Sequence, residues 1–274
     1  MNINSETRPY PFHNIEQALD RFTPIQLSEM AGVSLLNRID TKYLFPLQML
    51  LPILEQVQGQ YRILDIDGIR LNQYHTVYYD EPEFTFYTQH HNQHADRYKV
   101  RARQYVDTHV AFFEVKHKTN KKRTVKSRLP LESGQIDTGI EPQSNGITDF
   151  VEHHVPIESE QLEVKLWNDY RRLTLVNRLS PERVTIDLSL SFGHENSQMS
   201  LPGFAIAEVK QAHFTQQSPF IQQMRNFGIR SSSFSKYCAG VYLLYDNVKT
   251  NNFKPVMRQV QQLVEMENLY ASVS

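Results

Sequence analysis

From Arg97 to Arg128 the chain alternates charged and apolar positions with period two through three consecutive segments, RYKVRARQY, VAFFEVKHK and TVKSR. Side chains two apart on a strand point the same way. Lys99, Arg101 and Arg103 therefore share one strand face, Glu114, Lys116 and Lys118 the next, and Lys126 and Arg128 a third. Val100, Ala102, Tyr105, Phe112, Val115 and Val125 are assigned to the other faces. The same period returns in Tyr170, Arg172 and Thr174, in Arg183, Thr185 and Asp187, and in Glu208 and Lys210. A half-exposed antiparallel sheet also alternates, but recurrence on six strands makes a shared charged face the better explanation.

The rest of the pattern predicts strands near 40–45, 61–66, 71–79, 97–106, 109–118, 122–129, 164–176, 183–192 and 203–210. Helices are expected at Asn14–Phe22 with Asn14 as cap, at Pro24–Ala31, and at Pro46–Val57, where Pro52 should kink or divide the segment. Further helices are expected at Ser218–Phe227, Ser235–Tyr245 and Lys254–Leu269. Val256, Val260, Leu263 and Val264 line one face of the last, which closes one end of the domain or makes a homodimer contact. Between Glu132 and Glu163 the pattern is broken by Ser133-Gly134, Gly139, Pro142, Asn145-Gly146 and Pro156, leaving one helical piece near Ile147–His154. The whole reads as a single domain over residues 1–274, with a core at about 30–245 and a rim excursion at about 132–163.

If the charged strands close on themselves, their cations either all face outward or all line one lumen. A lumen of unpaired Arg and Lys is costly when dry, so it must hold water and a polyanion. Phosphate chains suit it, since Arg offers a bidentate fork and Lys a compact point charge.

Several motifs, in order, resemble the VTC domain, the vacuolar transporter chaperone catalytic domain of the triphosphate tunnel (CYTH-like) superfamily. They are Arg38-Ile-Asp40-Thr-Lys42-Tyr43, Tyr78-Tyr-Asp80-Glu-Pro82 with Tyr87, Lys99-Val-Arg101-Ala-Arg103, Glu114-Val-Lys116 and Val125-Lys126-Ser-Arg128. They continue with Tyr170-Arg-Arg172, Arg183-Val-Thr-Ile-Asp187, Ala207-Glu208-Val-Lys210 and Phe234-Ser235-Lys236-Tyr237. The resemblance implies an α+β fold, a closed and mainly antiparallel β-barrel with flanking helices. Its tunnel would bind triphosphate, ATP or polyphosphate with Mg2+ or Mn2+.

Carried over by motif, Lys42, Arg101, Arg103, Lys116, Lys126, Arg172 and Arg183 are the catalytic cations, with Ser235 and Lys236 as further phosphate ligands and Glu208 as the metal ligand. Lys99, Glu114, Lys118, Arg128, Lys210 and His90 are candidate substrate contacts on the same faces or motifs. Two positions depart from the polymerising members of the family: His90 stands where they carry Arg, and Ser233 where they carry Lys. Three functions are compatible: a VTC-type polyphosphate polymerase, a triphosphatase, and a silent binder of polyphosphate or inositol phosphate.

Composition trims this picture. Net charge is −1, so there is no global basic field to draw nucleic acid. Tyr98, Tyr105 and Phe113 are read as lying opposite the cations, away from where bases would stack. One cysteine, Cys238, excludes an internal disulfide and reads as core. No run approaches a membrane span and the amino terminus lacks an apolar signal core, so cytoplasmic residence is expected. His90, His91 and His94 could pair two imidazoles on a helix face as in zinc sites, but a third ligand and a base are missing, so a rim or substrate contact is preferred. Lys121, Lys122 and Arg123 read as a solvated turn. Asp40 reads as the partner of a cation, and Glu114 as an ionised carboxylate that binds metal or holds an Arg.

Overall fold

The computed structural model describes residues 12–33, 38–121, 123–132, 136 and 146–271. Lys122 and most of the Ser133–Asn145 stretch, with Gly139 and Pro142, lie outside the described residues. The strands are β1 (Pro24–Gln26), β2 (Ile39–Pro46), β3 (Tyr61–Asp65), β4 (Asn72–Asp80), β5 (Arg97–Tyr105), β6 (Val110–Lys118), β7 (Thr124–Leu131), β8 (Glu163–Asn177), β9 (Glu182–His194), β10 (Ser197–Leu201) and β11 (Phe204–Gln211). The helices are α1 (Phe12–Asp20), α2 (Leu50–Val57), α3 (Thr85–His91), α4 (Ile147–His154), α5 (Pro219–Asn226), α6 (Lys236–Leu244) and α7 (Lys254–Ala271).

One large sheet runs in the order β2-β11-β9-β8-β4-β5-β6-β7, all antiparallel along this path. The fold is therefore α+β as expected, but the expected closure is corrected. No ladder joins β7 to β2 among the described residues, so the sheet is open rather than a closed barrel. The segment after α5 partly covers the β2 edge, through a bridge between Tyr43 and Ser231 and a 2.9 Å bond from the Ser232 N–H to the Lys42 carbonyl.

Burial divides the two faces. On the outer face, Tyr43, Phe45, Leu173, Leu175, Val184, Ile186 and Val209 pack with α1, α2 and α5, while Val77, Val100, Ala102, Phe113 and Val115 pack with α4. On the inner face the same strands carry the cations at one level and a second apolar cluster at another. That cluster joins Leu44, Tyr78, Leu166, Phe192, Phe204 and Ile206 to Tyr237, Val241, Met257 and Val260 of α6 and α7. Here α7 packs on β2 and β11.

Local departures have physical reasons. Pro24–Ala31 is a short strand followed by a 3-10 turn, with β1 pairing in parallel with β3. Pro52 is the third residue of α2, in the first turn, where its missing N–H would have had no helical partner anyway. Tyr105 and Phe112 lie on the cationic face rather than opposite it: Tyr105 packs on Tyr74 at 5.0 Å, and Arg128 stands over the Phe112 ring at 4.8 Å. Cys238 is buried in the inner cluster. No described helix is long and apolar enough to cross a membrane.

Candidate functional site

Cross-strand register places three carboxylates directly opposite three cations: Arg101 faces Glu114, Lys42 faces Glu208, and Arg172 faces Asp187. Opposite charges so placed attract across the ladder. Each carboxylate then takes a second cation. Glu114 holds Arg101 at 2.7 Å and also Lys126; Glu208 lies between Lys42 at 3.0 Å and Lys210 at 2.7 Å; Asp187 accepts from Arg172 Nη2 at 2.8 Å and from Lys236 at the start of α6.

The next row is different. Lys99, Lys116 and Lys126 stand directly opposite one another on β5, β6 and β7 with no carboxylate in the row. Lys99 donates to Ser235 Oγ at 2.8 Å, and Ser235 also caps α6. Neither Lys99 nor Lys116 forms an ion pair among the described residues. Both line a cavity of about 600 Å³ together with Asp40, Lys42, Lys118 and His90. Lys42 comes from β2 and Thr124 from β7, so the cavity bridges the two ends of the strand path at the place where the sheet stays open.

Of the residues expected from sequence, Lys42, His90, Lys99, Lys116, Lys118 and Ser235 line this cavity, while Arg101, Arg103, Lys126, Arg172, Arg183, Glu208 and Lys210 lie outside its lining. Arg103 is 7% exposed, bonds Thr76 Oγ1 at 3.2 Å, and lies over Tyr74 and Tyr170. Arg183 stands opposite Lys210 and feels Arg38 and Arg172; its buried Nε has no hydrogen-bond partner. Arg172 and Lys236 also lie over Tyr170, so that ring carries three cations on its faces. Asp187, which holds Arg172 and Lys236, is not among the site residues expected from sequence. Its period-two relation to Arg183 was the available signal. His94 is exposed, and His91 is buried with its Nδ1 bonded to Asn92, so the three histidines do not converge.

The crowding shows in proton affinities. Burial and then neighbouring cations push Lys99 down to about 8. Burial likewise brings Lys210 to about 8, against the pull of Glu208. Burial works to raise Glu114, but Arg101, Arg103 and Lys126 override it and hold the carboxyl at about 2. Asp187 and Glu208 are depressed in the same way, by Arg172 with Lys236 and by Lys210 with Lys42.

For the lysines, folded values below the unfolded one mean that their charge destabilises the protein fully below about pH 8, and that this is relieved as pH rises toward the ordinary lysine range. A bound polyanion restores their affinity for protons. Tripolyphosphate binding at about pH 8.5 is therefore expected to take up about one proton per chain, read from calorimetry in two buffers of different ionisation heat. Binding with no uptake would place the anion away from Lys99 and Lys210.

The VTC domain sequence profile matches residues 37–245, most of the chain and the whole of the sheet from β2 to β11 together with α5 and α6. The chain belongs to the VTC domain family. Against solved structures, this VTC domain is similar to an adenylyl cyclase candidate from Hippeastrum described as having a dominant triphosphatase activity. Identity is 10%, the TM-score is 0.50, and 77% of this chain and 98% of that one are covered. A candidate adenylate cyclase from Bacillus halodurans matches at 12% identity and TM-score 0.49, over 73% of this chain and 94% of that one. At such identities the likeness is one of fold alone. No curated protein matches this chain by sequence.

Proposed function

We propose that the cavity binds the phosphate chain of a nucleoside triphosphate or of polyphosphate and that the protein transfers its terminal phosphoryl group. The row Lys99–Lys116–Lys126 carries this reading. Like charges directly opposite one another are destabilising; Lys126 is answered by Glu114, but Lys99 and Lys116 have no ion-pair partner among the described residues, and Glu208 is already engaged by Lys42 and Lys210 and Asp40 by Arg38. An anionic ligand is the natural missing partner. Phosphoryl transfer asks mainly for positioning and for neutralisation of charge on the equatorial and leaving oxygens. Arg101 and Arg172, each fixed by a carboxylate, supply rigid forks outside the cavity lining, while Lys99 and Lys116 supply point charges within it.

The family resemblance leads to an expectation of Mg2+ or Mn2+ with Glu208 as ligand. The described residues do not fit a metal held by the protein alone. No group of three or more His, Cys, Asp or Glu side chains comes together among them, and both Glu208 oxygens are taken by Lys42 and Lys210. The roles above are accordingly assigned to the cations.

The acceptor separates two chemistries. A second phosphate chain makes the protein a polyphosphate polymerase; water makes it a triphosphatase. The open edge between β7 and β2 favours the second, because it leaves the cavity without a sealed wall. Purified protein incubated with ATP or tripolyphosphate, with and without manganese, is expected to release phosphate. Long chains on a gel would instead establish the polymerase, and saturable binding without turnover would leave a silent binder.

A further inference from the structure

We propose that His90 is a catalytic residue, the proton acceptor that positions the attacking water beside the terminal phosphate. This rests on the phosphate-chain reading above and specifies its acceptor. His90 sits in the last turn of α3 and lines the same cavity as Lys99 and Lys116. Its Nε2 lies 3.1 Å from the carbonyl of Tyr98. A carbonyl only accepts, so Nε2 carries the hydrogen and Nδ1 presents a lone pair. That Nδ1 has no hydrogen-bond partner among the described residues and is not sealed from the cavity.

The neighbours explain why the imidazole stays neutral. Arg97 and Lys99 on β5 and Lys116 on β6 repel a proton, and Lys42 and Asp40 on β2, His91 on its own helix and Cys238 on α6 share the cavity. Burial and the cations hold His90 at about 2 while the site is empty. A polyanion on the same cations reverses their contribution while the larger effect of burial stays, so the base regains part of its ordinary strength when substrate is in place.

In the step, the water oxygen forms a bond to the terminal phosphorus as the bridging P–O bond breaks. One water proton passes to Nδ1. The electron pair of the broken bond stays on the leaving phosphate oxygen, whose charge the lysines carry, and the imidazolium later returns its proton to a product phosphate.

The test measures tripolyphosphate hydrolysis and, separately, tripolyphosphate binding by calorimetry, for wild type, His90→Ala and His90→Gln between about pH 6 and 9. His90→Ala is expected to lower kcat about 100-fold with KM and binding held within about twofold. Gln, which keeps an acceptor at similar reach, should recover part of the rate. Retained binding also shows that a variant is folded. Unchanged kcat in His90→Ala, or a rise in KM with kcat intact, would overturn the assignment. So would a wild type that binds tripolyphosphate and only elongates it; in that case the phosphate-chain reading survives. Failure of the wild type to bind tripolyphosphate would end both.

Discussion

Arg172→Ala is expected to lower stability by about 3 kcal/mol and to reduce phosphate transfer at least about 100-fold. Arg172 is bidentate to Asp187, whose carboxylate is almost fully buried, and its guanidinium lies 5.0 Å from the Tyr74 ring centroid and 5.1 Å from that of Tyr170. Truncation leaves Asp187 with Lys236 as its remaining ion-pair partner. Breaking a buried pair from one side leaves an under-compensated charge, which is why the effect exceeds that of a surface bridge.

For a chain of this size the loss corresponds to a fall in Tm of roughly 6–12 °C. Arg172→Lys keeps the charge but not the fork, and should recover more of the stability than of the activity. Calorimetry and a phosphate-release assay check both arms. A Tm within about 2 °C of wild type with activity intact would show that Arg172 is neither anchored nor used as described.

The two ends of the site were unequally legible. Strand parity alone put Lys99, Arg101 and Arg103 on one face, and likewise Arg183 with Asp187 and Glu208 with Lys210, because period two is a direct consequence of the extended backbone. Register was not legible. That Arg101 meets Glu114 while Lys99 meets Lys116 depends on how the β5–β6 turn aligns the strands; a shift of two residues would set Lys99 opposite Glu114 and Arg101 opposite Phe112.

Closure was not legible either, since alternation on the terminal strands says nothing about whether they meet. The inner apolar cluster under α6 and α7 fills part of the space that a closed barrel would leave free. α3 escaped the pattern because its start is organised from a distance. Phe84 takes a left-handed conformation, and the Asp80 carboxylate on β4 accepts the N–H groups of Glu81, Phe86 and Tyr87 and the Tyr237 hydroxyl. That acid, buried and pushed upward by burial, sets the helix that carries His90. Tyr105 and Phe112 share the parity of their charged neighbours Arg103 and Glu114, so period two itself places them on the cationic face.

Cations held together in an empty cavity strain the protein, and a ligand that neutralises them must stabilise it by linkage, by about 2.7 kcal/mol at a hundredfold excess over its dissociation constant. That is roughly 5–10 °C in Tm. The order should follow the charge delivered to the lysine row: tripolyphosphate, then pyrophosphate, then sulfate. Exposed cations on a solvated face would instead be screened and show almost no preference among anions. The direct measurement is a thermal-shift series with these anions against chloride at matched ionic strength. Stabilisation in that order, with tripolyphosphate at millimolar concentration well above chloride, is the expected result; tripolyphosphate no better than chloride would contradict a phosphate-chain site in this cavity.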